Sequence, residues 1–393
     1  MILLILRCLF AYWKLLFTRK KKRSCVVIPT FEAYGGTRTY FISLIKFLYK
    51  QGYDTTVMLL PSQIDEEIKS LQLEHDFAIE LLQFDVWRTN FRRPFFSSLN
   101  KNYFVYQLQE LFYFCRVLRN TRSGVLICSV SNPEELLFLF LCPLKIVYVL
   151  HTSTFDKLDR LKRFLLSFRL SKKRQIVTVS NFAKELILDN WTKGKKVDHI
   201  QVVYNYYYPK NSFSSVNPTT KHTVFTAGTV AVYKNPIFWV DVCKKVISIL
   251  GQEITFVWAG DGNLLDECRA LADDFPQIKF VGFRANIEEL YAECSIYFQP
   301  SVFESHGISV LGAMYFEKPC IVSNRGGLPE SVINNETGYV VKIEDVDEAT
   351  SAICNLVKDR HIAEQMGRKG KEKFEKYFTR DIWEEKMTSI MFQ

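Results

Sequence analysis

Short unbroken apolar runs recur along the chain, separated by segments of helical apolar spacing and by loops rich in glycine, proline and polar residues. Cys25 to Ile28, Thr55 to Leu60, Val125 to Cys128, Ile146 to Leu150 and Ile176 to Val179 have the length and composition of strands buried on both faces. Thr37 to Tyr49 has apolar residues at helical intervals. A second series follows: Thr223 to Ala227, Thr255 to Ala259, Ile278 to Val281, Ser295 to Phe298 and Cys320 to Val322. Strands alternating with helix-length segments predict α/β domains with parallel sheets. Lys210 to Thr220, rich in Asn, Ser, Thr and Pro, reads as a linker between two of them. The expected domains are therefore 24–209 and 221–378, with residues 1–23 ahead of them and a terminal helix over 379–393.

Residues 1–23 change the picture. Met1 to Phe17 is apolar except for Arg7 and Lys14, which on a helix share a face with Ala11 and Thr18. Arg19, Lys20, Lys21, Lys22 and Arg23 follow, with no acid, so this segment supplies seven of the nine net positive charges. The remainder of the chain is close to neutral, which argues against a general nucleic-acid protein. The charges follow the apolar run and no small-residue cleavage site appears, unlike a signal peptide. A spanning helix would be short and would carry two internal charges. The pattern predicts an interfacial helix on an anionic membrane surface, and hence a cytoplasmic protein peripherally associated with the inner face of a membrane. Two further stretches, Phe84 to Tyr106 and Lys157 to Arg174, interleave aromatic or apolar residues with basic ones and are read as parts of the same surface. The ten cysteines are scattered without a Cys-x-x-Cys pair, as expected of small buried hydrophobes rather than zinc ligands or disulfides.

The loops that follow the predicted strands carry the candidate chemistry. In parallel sheets, ligands bind at the carboxyl ends of strands, facing helix N-termini. Gly35-Gly36 follows the first strand, so its amides could face a pyrophosphate. In the second series, Glu304 to Gly307 and Arg325 to Gly327 occupy equivalent places. No Asp-x-Asp and no His/Cys cluster with ligand spacing is present, so neither a metal nor a cofactor is expected.

The stretch E-S-H-G-I-S-V-L-G-A-M, then E-K-P-C-I-V-S-N and R-G-G-L-P-E, resembles the donor-binding domain of retaining GT-B glycosyltransferases, in the glycosyltransferase family 4 group. The resemblance runs over roughly residues 24 to 390 and is stronger in the second domain. It implies two Rossmann-like domains facing a cleft, an N-terminal acceptor domain and a C-terminal donor domain, with the terminal helix crossing back onto the first. It implies transfer from a nucleotide-diphosphate sugar, with retention, to a glycan or lipid-linked acceptor in cell-surface polysaccharide or lipopolysaccharide synthesis. Glu304 would bind donor-sugar hydroxyls and stabilise positive charge at the anomeric carbon. Lys234, in G-T-V-A-V-Y-K-N-P beside Gly228, would hold the diphosphate. Gly260 and Gly262 would allow close approach, Phe283 and Arg284 would meet the base, and Gly307, Ile308 and Arg325 would complete the donor site. His151, closing a strand, would lie near donor and acceptor.

Two positions depart from the pattern. Thr229 stands where the family has an arginine of the diphosphate clamp, and Arg325 or Arg38 is the candidate replacement. Gly312 stands where a second glutamate holds the ribose. These departures keep open a non-catalytic GT-B-like subunit that binds a glycan or partner, with a nucleotide-sugar epimerase as a third reading.

Overall fold

The apolar runs assemble into two parallel sheets in a computed structural model, which describes residues 2–19, 23–29, 36–81, 112–129, 144–151, 174–192, 199–209 and 222–392. Gly35, the 210–220 linker, Phe84 to Tyr106 and all of Lys157 to Arg174 except Arg174 itself lie outside the described residues.

The first compact unit comprises Met1–Thr178, Glu185–Gln201 and Ile390–Gln393. Its elements begin with α1 (Ile2–Phe17), β1 (Ser24–Ile28), α2 (Gly36–Lys50), β2 (Asp54–Leu59), α3 (Glu66–His75) and β3 (Ala78–Leu81). A helix over 112–121 (α4), β4 (Val125–Ser129), β5 (Lys145–Leu150), β6 (Arg174–Thr178), α5 (Asn181–Thr192) and β7 (Ile200–Val202) follow. The strand order is β3-β2-β1-β4-β5-β6-β7. Strands β1, β4 and β5 are buried almost throughout, which is why their sequences do not alternate. Arg38 on α2 is 5% exposed, and its guanidinium donates to Asp65 and Glu67 at 2.8–3.0 Å, tying α2 to the start of α3.

Helix α1 packs on this unit's core. Ala11 and Leu15 join the cluster formed by Phe114, Leu118, Leu126 and Ile146, and Cys8 is buried beside them. Ala11 therefore faces inward, not outward with Arg7 and Lys14, both of which are exposed. No described helix is long and apolar enough to cross a membrane.

The second unit comprises Val179–Lys184 and Val202–Ser389. Residues 179–184 and 202–209 thus pack with this unit, although the sequence pattern groups them with the first domain. Its elements are β8 (His222–Ala227), α6 (Pro236–Leu250), β9 (Ile254–Ala259), α7 (Leu265–Leu271), β10 (Ile278–Gly282), α8 (Glu288–Glu293) and β11 (Ile296–Gln299). They continue with α9 (Ile308–Tyr315), β12 (Cys320–Ser323), α10 (Leu328–Ser331), β13 (Gly338–Val341), α11 (Val346–Lys358), α12 (Arg360–Tyr377) and α13 (Arg380–Phe392). The sheet runs β10-β9-β8-β11-β12-β13, every neighbouring pair parallel. This doubly wound order reverses direction between β8 and β11, and a crevice opens at such a switch point beyond the strands' carboxyl ends. Trp239 and Trp258, packed edge to face with centroids 5.2 Å apart, fill one face of the sheet. Tyr291, Tyr297 and Phe225 fill the other.

Candidate active site

The two residues flanking the switch point in the second unit are Lys234 and Glu304. Lys234 ends a 3-10 turn, Val232–Lys234, that follows β8. Asn235, in the left-handed conformation (φ 59°), and Pro236 at the first turn of α6 then redirect the chain. Glu304 lies in the loop after β11. The two loops are joined through the carbonyl of Tyr233, which accepts from the amides of Val302 (2.9 Å) and Phe303 (3.3 Å). The Lys234 ammonium donates to the Glu304 carboxylate, with 11% and 15% of the two side chains exposed. Gly228 lies against the lysine stem: a Cβ there would sit 3.1 Å from Lys234 Cε.

A string of buried polar groups stands behind Glu304. Tyr297 donates to Gln299 Oε1 (2.6 Å), Gln299 Nε2 to Ser301 Oγ (2.7 Å), and Ser301 Oγ to Glu304 (3.5 Å). Ser309, in the first turn of α9, donates to Gln299 Oε1 as well (3.2 Å). Gln299 and Ser301 are fully buried, so each must find partners inside the protein, and those partners fix the loop. Sequence reasoning assigned neither a role. The available signal was a glutamine and a serine closing the apolar run Ile296-Tyr297-Phe298, where a strand would otherwise end in hydrophobes.

The glycines of these loops serve loop-to-loop packing. Gly260 (φ 150°) donates its amide to the carbonyl of Gly282 (2.9 Å), and a Cβ on it would lie 2.0 Å from the carbonyl oxygen of Gly228. A Cβ on Gly262 would lie 2.2 Å from the oxygen of Val230, and on Gly326 (φ 61°) 2.0 Å from that of Glu304. Gly327 donates its amide to the same Glu304 carbonyl at 2.8 Å. The loops after β8, β9, β10, β11 and β12 therefore form one contiguous surface.

The remaining candidates of the second unit lie in the loops after β10, β11 and β12. Phe283 and Arg284 follow β10 and are exposed. Gly307 (φ 87°) caps α9, which Ile308 begins. Arg325 is exposed in the loop that packs on Glu304. Arg38 is committed to Asp65 and Glu67, which removes it as a replacement for the arginine absent at Thr229. The Gly312 position is closed by Tyr291, whose ring a Cβ would approach to 2.7 Å. In the first unit, Gly36 is the first residue of α2. There His151 closes β5 with its ring edge-on to Tyr40 (4.1 Å). Its Nε2 is buried without a hydrogen-bond partner, and burial pushes its pKa down to about 3, so the imidazole is neutral.

Glu330 has a role that its place in the R-G-G-L-P-E stretch does not reveal. Its carboxylate accepts from the amides of Asn181 (2.8 Å) and Phe182 (2.6 Å), from Asn181 Nδ2 (3.0 Å) and from the Tyr204 hydroxyl (2.9 Å). It caps the first turn of α5, where unpaired amides favour an anion. Burial first, and then the Glu330 charge, raise the pKa of Tyr204.

A cation and a carboxylate held together at a doubly wound switch point suit a ligand that carries both phosphate and hydroxyl groups. Residues 208–373, which hold Lys234, Glu304 and the loops packed around them, match the sequence profile of Glycosyl transferases group 1. The match spans less than half of the chain and marks a similarity to that family. One relative, the UDP-Gal:alpha-D-GlcNAc-diphosphoundecaprenol alpha-1,3-galactosyltransferase of Escherichia coli, is 27% identical over 143 residues, 35% of this chain. That match spans only 37% of the relative's own length. An uncharacterized glycosyltransferase of Haemophilus influenzae is 26% identical over 371 residues, covering 89% of this chain and 95% of that protein. Among solved structures, a glycosyltransferase from Rickettsia africae superposes with a TM-score of 0.77 at 16% identity, covering 95% of this chain and all of that one. The fold is that of GT-B glycosyltransferases, as the motif resemblance implies.

Proposed function

We propose that the protein transfers a sugar from a nucleotide-diphosphate sugar to a hydroxyl of a glycan or lipid-linked acceptor, with retention, in the synthesis of a cell-surface polysaccharide or lipopolysaccharide. The observation that carries this reading is the Lys234–Glu304 pair at the β8/β11 switch point. A lysine ammonium has three protons to donate, so Lys234 can serve Glu304 and a donor phosphate together. As the glycosidic bond breaks, negative charge grows on the leaving diphosphate and positive charge at the anomeric carbon. Lys234 offsets the first. Glu304, held by Ser301 and the Gln299 string, offsets the second and anchors sugar hydroxyls. The acceptor oxygen then bonds to the anomeric carbon on the face that the phosphate leaves, and its proton passes to the departing diphosphate. The relative that takes UDP-Gal and acts on a diphosphoundecaprenol-linked sugar supports the donor and acceptor classes.

A second reading, a non-catalytic binding subunit, draws on Thr229 and on Gly312 with Tyr291 closing its side-chain space. One experiment separates the two. A thermal-shift screen against UDP- and GDP-sugars identifies the donor, because a ligand that binds only the folded state raises Tm. The stabilising sugar is then supplied with lipid-linked acceptors. Transfer that is lost in Glu304→Gln supports the enzyme. No turnover on any acceptor, with or without donor binding, supports the subunit, and no nucleotide-sugar binding at all removes the enzyme.

A further inference from the structure

Helix α1 carries two apolar stripes, and only one of them is used by the fold. Successive residues are about 100° apart around a helix, so residues three or four apart share a face. Cys8, Ala11 and Leu15 form the stripe packed on the first unit, at 3%, 8% and 1% exposure. Leu6, Leu9, Phe10, Trp13 and Phe17 form the opposite stripe, each 55–72% exposed. Trp13 stacks on Phe10 (6.3 Å, 15°) and leans on Phe17 (5.0 Å), so the stripe is mainly aromatic. Arg7 and Lys14 border it on one side, and Lys14 Nζ lies 4.3 Å from the Phe10 ring centroid. The chain then runs into Arg19-Lys20-Lys21-Lys22-Arg23.

We propose that this exposed stripe is a docking surface for an anionic lipid bilayer, with α1 lying in the plane of the membrane. Three observations choose this occupant. The aromatic and leucine side chains suit the headgroup–acyl boundary, where Trp and Phe are favoured and an amphipathic helix sinks about 5–10 Å. The seven basic residues of 1–23, unopposed by any acid, complement anionic headgroups. A second copy of the chain is disfavoured as the occupant, because two-fold pairing through this stripe would bring two such basic segments together. The inner stripe fixes the orientation. Being anchored to the core at Ala11 and Leu15, the 16-residue helix cannot turn upright, and at roughly 24 Å it is shorter than the hydrocarbon layer. This inference is independent of the donor site and concerns a different unit.

The test is flotation of the full chain with phosphatidylcholine vesicles, with and without phosphatidylglycerol. The expected result is recovery with the anionic vesicles, reduced by salt and about tenfold or more weaker without phosphatidylglycerol. Phe10→Ser with Trp13→Ser should lose most binding while Tm stays unchanged, since neither ring packs on the core. Replacing Lys20, Lys21 and Lys22 by Ser should weaken binding about a hundredfold, at about fivefold per lysine. Should the serine pair not fold, Trp13→Phe retains the stripe, and brominated lipid should then quench the native fluorescence more than that of the variant. Native protein that stays at the bottom of the gradient overturns the proposal. So does a serine pair that floats like the native chain, or a dimer abolished by that pair without vesicle binding.

Discussion

The ring of Tyr291 occupies the space into which a side chain at Gly312 would project. A Cβ on Gly312 would lie 2.7 Å from the ring Cζ and 2.9 Å from the hydroxyl oxygen. The ring is held in place: its hydroxyl donates to the Ser309 carbonyl (2.9 Å), its face stacks on Phe316 (5.7 Å), and its edge meets Phe225 (5.1 Å). Gly312→Ala should therefore cost about 1–3 kcal/mol through overpacking. Gly312→Glu should not gain nucleotide affinity while Tyr291 remains. Denaturant titration and calorimetry check both; a Gly312→Glu variant that folds normally and binds nucleotide more tightly would show that the ring swings aside.

Lys234→Met or Glu304→Gln should each lower turnover by at least about a hundredfold, the usual loss when one electrostatic contact to the transition state disappears. Removing the charge of one member also leaves the other nearly buried and unpaired, at a cost of about 3–5 kcal/mol. The double variant Lys234→Met with Glu304→Leu should be more stable than the sum of single losses implies. Additive destabilisation across that cycle would mean the two charges do not depend on each other.

His306 makes the stability of the second unit sensitive to acid. It is 1% exposed, neither ring nitrogen has a partner, and its imidazole lies between Tyr204 (5.0 Å, stacked) and Phe378 (5.3 Å). Burial, with a contribution from Lys373, pushes its pKa from 6.5 down to about 3. Between these values the unfolded chain holds a proton that the native one does not, so stability falls as pH drops through this window and is complete above about 6.5. Stability measured by denaturant from pH 7 to 4 should fall less steeply in His306→Phe. Parallel slopes for the two proteins would remove His306 as the cause.

Glu330→Ala should uncap α5 and leave the Tyr204 hydroxyl without its acceptor. Four donors lose a charged partner, and one hydrogen bond to a charged group is worth about 1.5–3 kcal/mol. Amide exchange at Asn181 and Phe182 should accelerate. Unchanged protection at those two amides would show that the cap contributes nothing.

Most strands legible in the sequence were those buried on both faces, because they leave unbroken apolar runs; the edge strand Ile278–Gly282, with Lys279 exposed, was also read. The ones that escaped, Ala78–Leu81, Ile200–Val202 and Gly338–Val341, all lie at sheet edges. They are short and partly exposed; Ala78 and Leu81 face solvent, so the run is broken. In the site, Lys234 and Glu304 were found through motif spacing, and the structure joins them in one ion pair. Gln299 and Ser301 were not found, since a buried polar group is recognisable only when its partners, distant or folded back, come into view. The inward turn of Ala11 was missed because Arg7 and Lys14, one turn to either side of it, mark its face as polar, while the apolar residues covering the rest of α1 do not say which stripe meets the core.

The collisions that any side chain would meet at Gly260, Gly262 and Gly326 also bear on how such a protein could change its donor. Carbonyls of one loop rest directly on the α-carbons of the next. A loop grafted singly from a relative would have to bring its neighbour along, and an insertion in one would lift the others. On the proposed function, exchange of donor sugar or base is therefore expected at exposed side chains such as Phe283, Arg284 and Arg325.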